Sequence, residues 1–257
     1  MPFVEVGQGK IFYIEHRQAD ATRPPLILVH GSGATHHDFP LSLQMLHGLA
    51  PDLPGHGQSD PPSFRSVAEY AALMAAFLDA LDIPEIYLLG HSMGGAVAQL
   101  LALTMPERIR GLILLATGAY LPVSPTLLQG LGEKVVETVG LIVKWEWAKD
   151  APQSWRDQSF KRLLQTPPHV ILGDYYACSQ FDVRPRLPDL MLPTLILGAS
   201  LDRMTPPSLQ YDLLERIPHA TLHMIPGGGH MVALEQPDIV TALVRDWLSQ
   251  QEAIRSQ

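Results

Sequence analysis

The sequence predicts an α/β protein: a mostly parallel sheet covered on both faces by helices, with a helical segment inserted late in the chain. Three observations carry that prediction. Short continuous apolar runs recur along the chain, and strands buried on both faces read this way. Stretches with helical apolar spacing separate them, and strands alternating with helices close into a parallel sheet through right-handed crossovers. From 118 to 192 the strand signal stops while helix openings continue.

Taken in order, residues 4–6 and 10–16 alternate about Gly7-Gln8-Gly9 and predict a hairpin. Residues 26–29 form a buried strand ending at His30-Gly31. Between 66 and 81, Val67, Tyr70, Leu73, Met74, Phe77, Leu78 and Leu81 fall at helical spacing, with Pro84 just beyond. Residues 86–89 are the next strand, 92–105 a helix stopped by Pro106, and 112–115 another strand. Residues 194–197 and 221–225 are the last two strands, with a helix at 207–217 between them and one at 239–248 after them.

Within 118–192, Ser124-Pro125, Ala151-Pro152 and Thr166-Pro167 open helices, because proline is preorganised for the first helical position. Trp145, Trp147 and Trp155 concentrate here. The reading is a core of 1–117 and 193–257 carrying a cap of 118–192, bounded by Pro122, Pro188 and Pro193.

Composition narrows the function. At 257 residues and 46% hydrophobic, the chain can bury a sizeable core. A net charge of −8 argues against neutralising nucleic-acid phosphates or an anionic membrane. Cys178 is the lone cysteine, so neither an internal disulfide nor a cysteine-rich zinc site is expected. The opening residues 1–7 lack a secretory pattern, and no run of apolar residues is long enough to span a bilayer. The expectation is a cytoplasmic protein, monomeric or a small homo-oligomer, acting on a small molecule.

Gly90-His91-Ser92-Met93-Gly94 lies between a strand and a helix. Such a sharp turn needs glycine on either side and projects Ser92 at the helix N-terminus, where the Met93 amide is free for developing negative charge. A serine needs an adjacent base. His230, in Gly227-Gly228-Gly229-His230 after the last strand, opens at the same sheet edge. The histidine needs an acid, and Asp202 follows the strand at 194–197. Asp174 and Asp182 are rivals but lie in the insertion. His30-Gly31-Ser32-Gly33 supplies a second oxyanion donor, the Ser32 amide. His56 reads as structural, His91 as packing inward. His36, His37 and Asp38 lack the spacing of a metal site. Gly31, His91, Leu121, Trp147, Trp155 and Met231 are expected around the substrate, with cap aromatics as its roof.

These motifs, with Asp-Leu-Pro-Gly-His-Gly-Gln-Ser at 52–59 and Leu-Asp-Arg-Met-Thr-Pro at 201–206, resemble those of the α/β-hydrolase superfamily. The resemblance implies an eight-stranded, mostly parallel sheet with an antiparallel first strand and a helical cap after the sixth strand. It also implies hydrolysis through an acyl-enzyme, without a cofactor. Serine at position 92 excludes the members that attack with aspartate. Gly-His-Ser-Met-Gly is most similar to esterases and lipases, which implies a carboxylesterase on a small ester. An enol-lactonase, a carbon–carbon bond hydrolase and a non-catalytic ligand-binding homologue are the alternatives.

Overall fold

Apolar runs too short for helices pair edge to edge here. The computed structural model describes residues 2–7, 9–17 and 23–255. Its strands are β1 (Phe3–Val6), β2 (Gly9–Glu15), β3 (Leu26–Val29), β4 (Gly48–Pro51), β5 (Ile86–His91), β6 (Ile109–Leu115), β7 (Thr194–Ala199) and β8 (Ala220–Ile225). They form one eight-stranded sheet in the order β1-β2-β4-β3-β5-β6-β7-β8. β3 to β8 pair in parallel, while β2 is antiparallel to both its neighbours. The reversed strand is therefore the second, not the first: the hairpin turns β2 against β1, and β1 itself shares the common direction. Gln8 of the predicted turn lies outside the described residues. β4 is absent from the expectations above.

The helices are α1 (Leu41–Gln44), α2 (Val67–Ala80), α3 (Met93–Thr104), α4 (Pro125–Glu133), α5 (Val135–Glu146), α6 (Gln153–Gln165), α7 (Pro168–Gln180), α8 (Pro207–Arg216), α9 (Val232–Glu235) and α10 (Pro237–Arg255). Strand alternation divides the core. Ile27, Val29, Leu88, Leu112 and Leu114 face Tyr70, Phe77, Val97 and Leu213 of α2, α3 and α8. Leu26, Leu28, Leu89, Ile113 and Leu115 face Leu43, Val244 and Trp247 of α1 and α10. No helix among the described residues is long and apolar enough to cross a membrane.

Helices α4 to α7 run between β6 and β7 and enclose an apolar cluster of their own, including Leu131, Val139, Trp147 and Ile171. Both ends of this insertion are stitched together: Tyr120 bridges Asp182, and the Val183 amide donates to the Ala119 carbonyl at 2.9 Å. α6 and α7 begin at the predicted proline openings. α5 starts without a side-chain cap, so nothing local announces it.

Candidate active site

β5 ends at His91 and α3 begins at Met93, leaving Ser92 to turn the chain at φ 54° and ψ −119°. That conformation is strained for a residue with a side chain. It fits because the neighbouring backbones touch. A Cβ on Gly90 would stand 2.1 Å from the Gly94 carbonyl oxygen, and one on Gly94 2.0 Å from that of Val29. Ser92 makes no side-chain capping bond, so its hydroxyl is uncommitted at the positive end of α3.

The loop after β3 crosses the elbow, since a Cβ on Gly31 would lie 3.1 Å from Ser92 Cβ. The insertion holds this loop at Gly33. The Gly33 amide donates to Asp174 Oδ2 at 2.7 Å, and Thr166 Oγ1 donates to the Gly33 carbonyl at 3.1 Å. The Ser32 and Met93 amides donate to no described residue. His30 fixes the loop from below: Nδ1–H donates to the Gly31 carbonyl at 2.8 Å and Nε2 accepts the Leu53 amide at 2.9 Å. Burial holds its pKa at about 4, so the ring stays neutral.

Asp202 follows β7 and His230 follows β8. His230 Nδ1 lies 2.9 Å from Asp202 Oδ2. Asp202 also accepts the Met204 amide at 2.8 Å, the Thr205 amide at 2.9 Å and Thr205 Oγ1 at 2.7 Å. Burial opposes its charge, but His230 and these donors hold its pKa below the usual range. Burial, which raises the Asp202 pKa, would lower that of His230; Asp202 overrides it, with Glu146 and Asp38 adding, and raises it above 6.5. With Nδ1–H given to Asp202, Nε2 is the ring's accepting atom. Ser92 and His230 line one small cavity of about 50 Å³. No hydrogen bond between them is present.

Of the residues expected around a substrate, Gly31, His91, Leu121 and Met231 line that cavity, as does Ser32. Trp147 and Trp155 do not. Their rings pack together at 5.4 Å within the insertion's own apolar cluster, which corrects their expected place in the roof. The Met93 side chain is in the core, and Met93 is not among the residues that line the cavity. His91 is buried and its Nε2–H donates to the His230 carbonyl at 3.0 Å. Burial and then His230 hold its pKa at about 3.

Asp174 is buried away from this cavity against His56, and Asp182 pairs with Arg184 outside it. His36 is taken by Asp52 at 2.8 Å. Asp38, Glu146, Tyr175 and Cys178 line the cavity without having been expected there. Burial pushes the Cys178 thiol up to about 12, so it is not a thiolate.

A sheet with its second strand reversed, a strained serine after β5, and an acid and a histidine after β7 and β8 define the hydrolase class resembled above. The chain belongs to the alpha/beta hydrolase family, whose model matches residues 26–243. It is 29% identical to the magnesium-chelatase 30 kDa subunit of Rhodobacter capsulatus, over 95% of this chain and 92% of that one. It is 30% identical to a 2-hydroxy-6-oxononadienedioate/2-hydroxy-6-oxononatrienedioate hydrolase of Cupriavidus pinatubonensis, over 96% and 94%. A thermophilic esterase superposes with a TM-score of 0.85 at 29% identity, covering 97% of both chains. The enol-lactonase of Burkholderia xenovorans superposes at 0.90 with 20% identity, over 96% of this chain and 100% of that one, a likeness of fold alone.

Proposed function

We propose that this hydrolase is a carboxylesterase that cleaves small esters through an acyl-enzyme on Ser92. The observation that carries the reading is the shared cavity: a strained, uncommitted serine beside a histidine whose Nδ1 is 2.9 Å from a buried aspartate. His230 Nε2 takes the Ser92 proton as the oxygen attacks the ester carbonyl. The Ser32 and Met93 amides hold the oxyanion. His230 then gives its proton to the departing alcohol, and water repeats the sequence on the acyl-enzyme. Asp202 keeps the ring in one tautomer and stabilises the imidazolium. A cavity of about 50 Å³ supports short acyl groups over long ones.

The test is turnover of a chromogenic acetate ester, with labelling by an organophosphate. One adduct on Ser92, and loss of both turnover and adduct in Ser92→Ala, is the expected result. Turnover surviving in Ser92→Ala overturns the assignment. Enol-lactonase and carbon–carbon hydrolase activities use the same three residues, and relatives named for the latter keep that second reading in play. A panel of esters, enol-lactones and vinylogous diketones separates them. A protein that binds but turns over none of the panel is the ligand-binding homologue.

A further inference from the structure

One buried amide plays no part in the proposed chemistry and yet joins two sides of the site. Gln210 lies on α8 beside Leu209 and Leu213, with no surface open to solvent. Its Nε2 donates to the Thr117 carbonyl at 2.7 Å and to the Thr205 carbonyl at 3.1 Å. Both neighbours are acceptors, so the nitrogen must face them. Neither carbonyl accepts from any other described residue. The Oε1 atom is buried and has no partner among the described residues. A buried amide oxygen without a donor is costly, and an apolar side chain of similar shape would avoid that cost. What Gln210 supplies, and leucine or methionine cannot, is the pair of N–H donors.

The two carbonyls belong to residues that hold the proposed nucleophile and its acid. Thr117 Oγ1 donates to the Ser92 carbonyl at 2.7 Å. Thr205 holds Asp202 twice, its amide on Oδ1 at 2.9 Å and its hydroxyl on Oδ2 at 2.7 Å. Thr117 follows Ala116, whose φ of 44° is left-handed, so the chain leaves β6 in a conformation that its own residues disfavour. Thr205 stands in the loop between β7 and α8. Neither segment has a ladder or a helix to fix it, and Gln210 ties one to the other.

We propose that Gln210 is a positioning residue: it holds Thr205 against Thr117 and so fixes the aim of Asp202 at His230 relative to the Ser92 elbow. The inference rests on the reading of Ser92, His230 and Asp202 as one catalytic unit and deepens it. Gln210 does not line the cavity, so its loss leaves the wall that a substrate meets intact. Without the donors both carbonyls lose their bond in a dry setting, the Thr205 loop relaxes, and Asp202 loses its alignment with Nδ1. The rate of chemistry falls while substrate binding stays. Asp202 is the largest influence raising the His230 pKa, so the imidazolium loses support as well. The other ionisable groups about His230 are Glu146, Asp38 with its partner Arg162, Glu235 on the neighbouring Gly229 amide, and His91, Tyr175 and Cys178, which stay neutral. None of them bonds to Gln210, so a moved His230 midpoint reports on Asp202.

The test uses Gln210→Met, which keeps the length and loses the donors. Gln210→Asn, a methylene too short to reach both carbonyls, serves if Gln210→Met does not fold. Gln99→Met is the control. Gln99 is also fully buried, its Nε2 donates to the Gly95 and Gly118 carbonyls and its Oε1 is unpartnered, but it bonds to nothing in the acid loop. His230 is titrated by NMR in the Ser92→Ala background, where no turnover is needed. The Gln210 variant lowers the midpoint by about one pH unit, a tenfold weaker hold on the proton, while Gln99→Met leaves it in place. With Ser92 restored and an acetate ester as substrate, kcat falls about 10- to 100-fold and KM stays within about twofold. A midpoint unmoved in a folded Gln210 variant, one moved as far by Gln99→Met, or an unchanged kcat overturns the proposal. No ester turnover by the wild type sinks the esterase reading, and the titration then decides the role of Gln210 by itself. Turnover by the wild type with an unmoved midpoint in the folded Gln210 variant sinks the positioning role and leaves the esterase standing.

Discussion

Asp174 Oδ2 accepts the Gly33 amide at 2.7 Å, across 141 residues of chain. The same carboxylate accepts the Tyr70 hydroxyl at 2.6 Å and His56 Nε2–H at 2.8 Å. His56 Nδ1 faces the Pro54 carbonyl at 3.0 Å, so both ring nitrogens donate and the ring is charged. Burial opposes that charge, and Asp174 overrides it to raise the His56 pKa. The Gly33 bond thus fastens α7 to the loop that carries Ser32, and the buried ion pair with His56 fastens it to the loop after β4. The same helix block grips the His230 loop: Glu235 accepts the Gly229 amide at 2.6 Å and the Ala148 amide at 2.9 Å, and the Met231 amide donates to the Glu146 carbonyl at 3.0 Å.

Asp174→Ala strands a buried cation, an amide and a hydroxyl at once. The expected cost is about 3–5 kcal/mol of stability, read from urea denaturation. Asp174→Asn keeps the shape and loses the charge. Because the Ser32 amide sits one residue from the Gly33 anchor, kcat is expected to fall more than KM rises. A rise in KM with kcat unchanged would mean that the ion pair holds only the fold.

The pH dependence follows from His230. In the mechanism proposed above only the neutral ring accepts the Ser92 proton, and Asp202, Glu146 and Asp38 together raise its pKa above 6.5 against burial. The acid limb of kcat/KM, which reports the free enzyme, therefore has its midpoint above 6.5. Asp202→Asn removes the largest raising influence and leaves burial, which lowers. The limb moves to lower pH while kcat drops by about 10⁴-fold. An unmoved limb would show that another group titrates there.

Gly94 is the sharpest steric test of the elbow. A Cβ there would meet the Val29 carbonyl oxygen at 2.0 Å and the His30 carbonyl oxygen at 2.6 Å, both backbone atoms that cannot swing aside. Gly94→Ala is expected to fold poorly or to lose activity. Gly132, around which nothing lies within 4 Å, is the control, and its alanine variant keeps the wild-type melting temperature within about 2 °C.

What the sequence made legible was local. The glycines at 90 and 94 are needed by a turn spanning five residues, and Ser66, the predicted start of a helix, caps α2 by accepting the Ala68 amide at 3.2 Å. β4 was illegible because Gly48-Leu49-Ala50-Pro51 has glycine and proline at its ends and acquires its character from β2 and β3 on either side. The buried acids were illegible for a similar reason. A carboxylate in a loop or on a helix reads as solvated or capping, and Asp38, Glu146 and Asp174 are buried by partners far away in sequence. Asp174 looked like a rival to Asp202 only because both lie between Ser92 and His230 in chain order; the fold sets Asp174 on α7 against His56 and Asp202 after β7 against His230. The two tryptophans misled because aromatic content tells that a cluster exists, and not which side of it faces the cavity.

Those tryptophans give the last prediction. Trp147 is 4% exposed and its ring packs on Trp155 at 5.4 Å, away from the cavity lining. Trp147→Ala empties the middle of the cluster that α4 to α7 share, and the expected loss is about 3–5 kcal/mol. Trp155, only partly buried, costs less. Neither change alters the wall that an acyl group meets, so the ratio of acetate to hexanoate ester turnover in the folded variants stays at the wild-type value. Leu121 behaves in the opposite way. It lines the cavity just where the chain leaves β6 for the insertion, and Leu121→Ala widens a space of about 50 Å³. Turnover shifts toward the longer acyl chain, and the stability loss is smaller, because one side of Leu121 already borders the void. A chain-length profile that moves with Trp147→Ala and not with Leu121→Ala would reverse this division between the residues that hold the insertion together and those that shape the site.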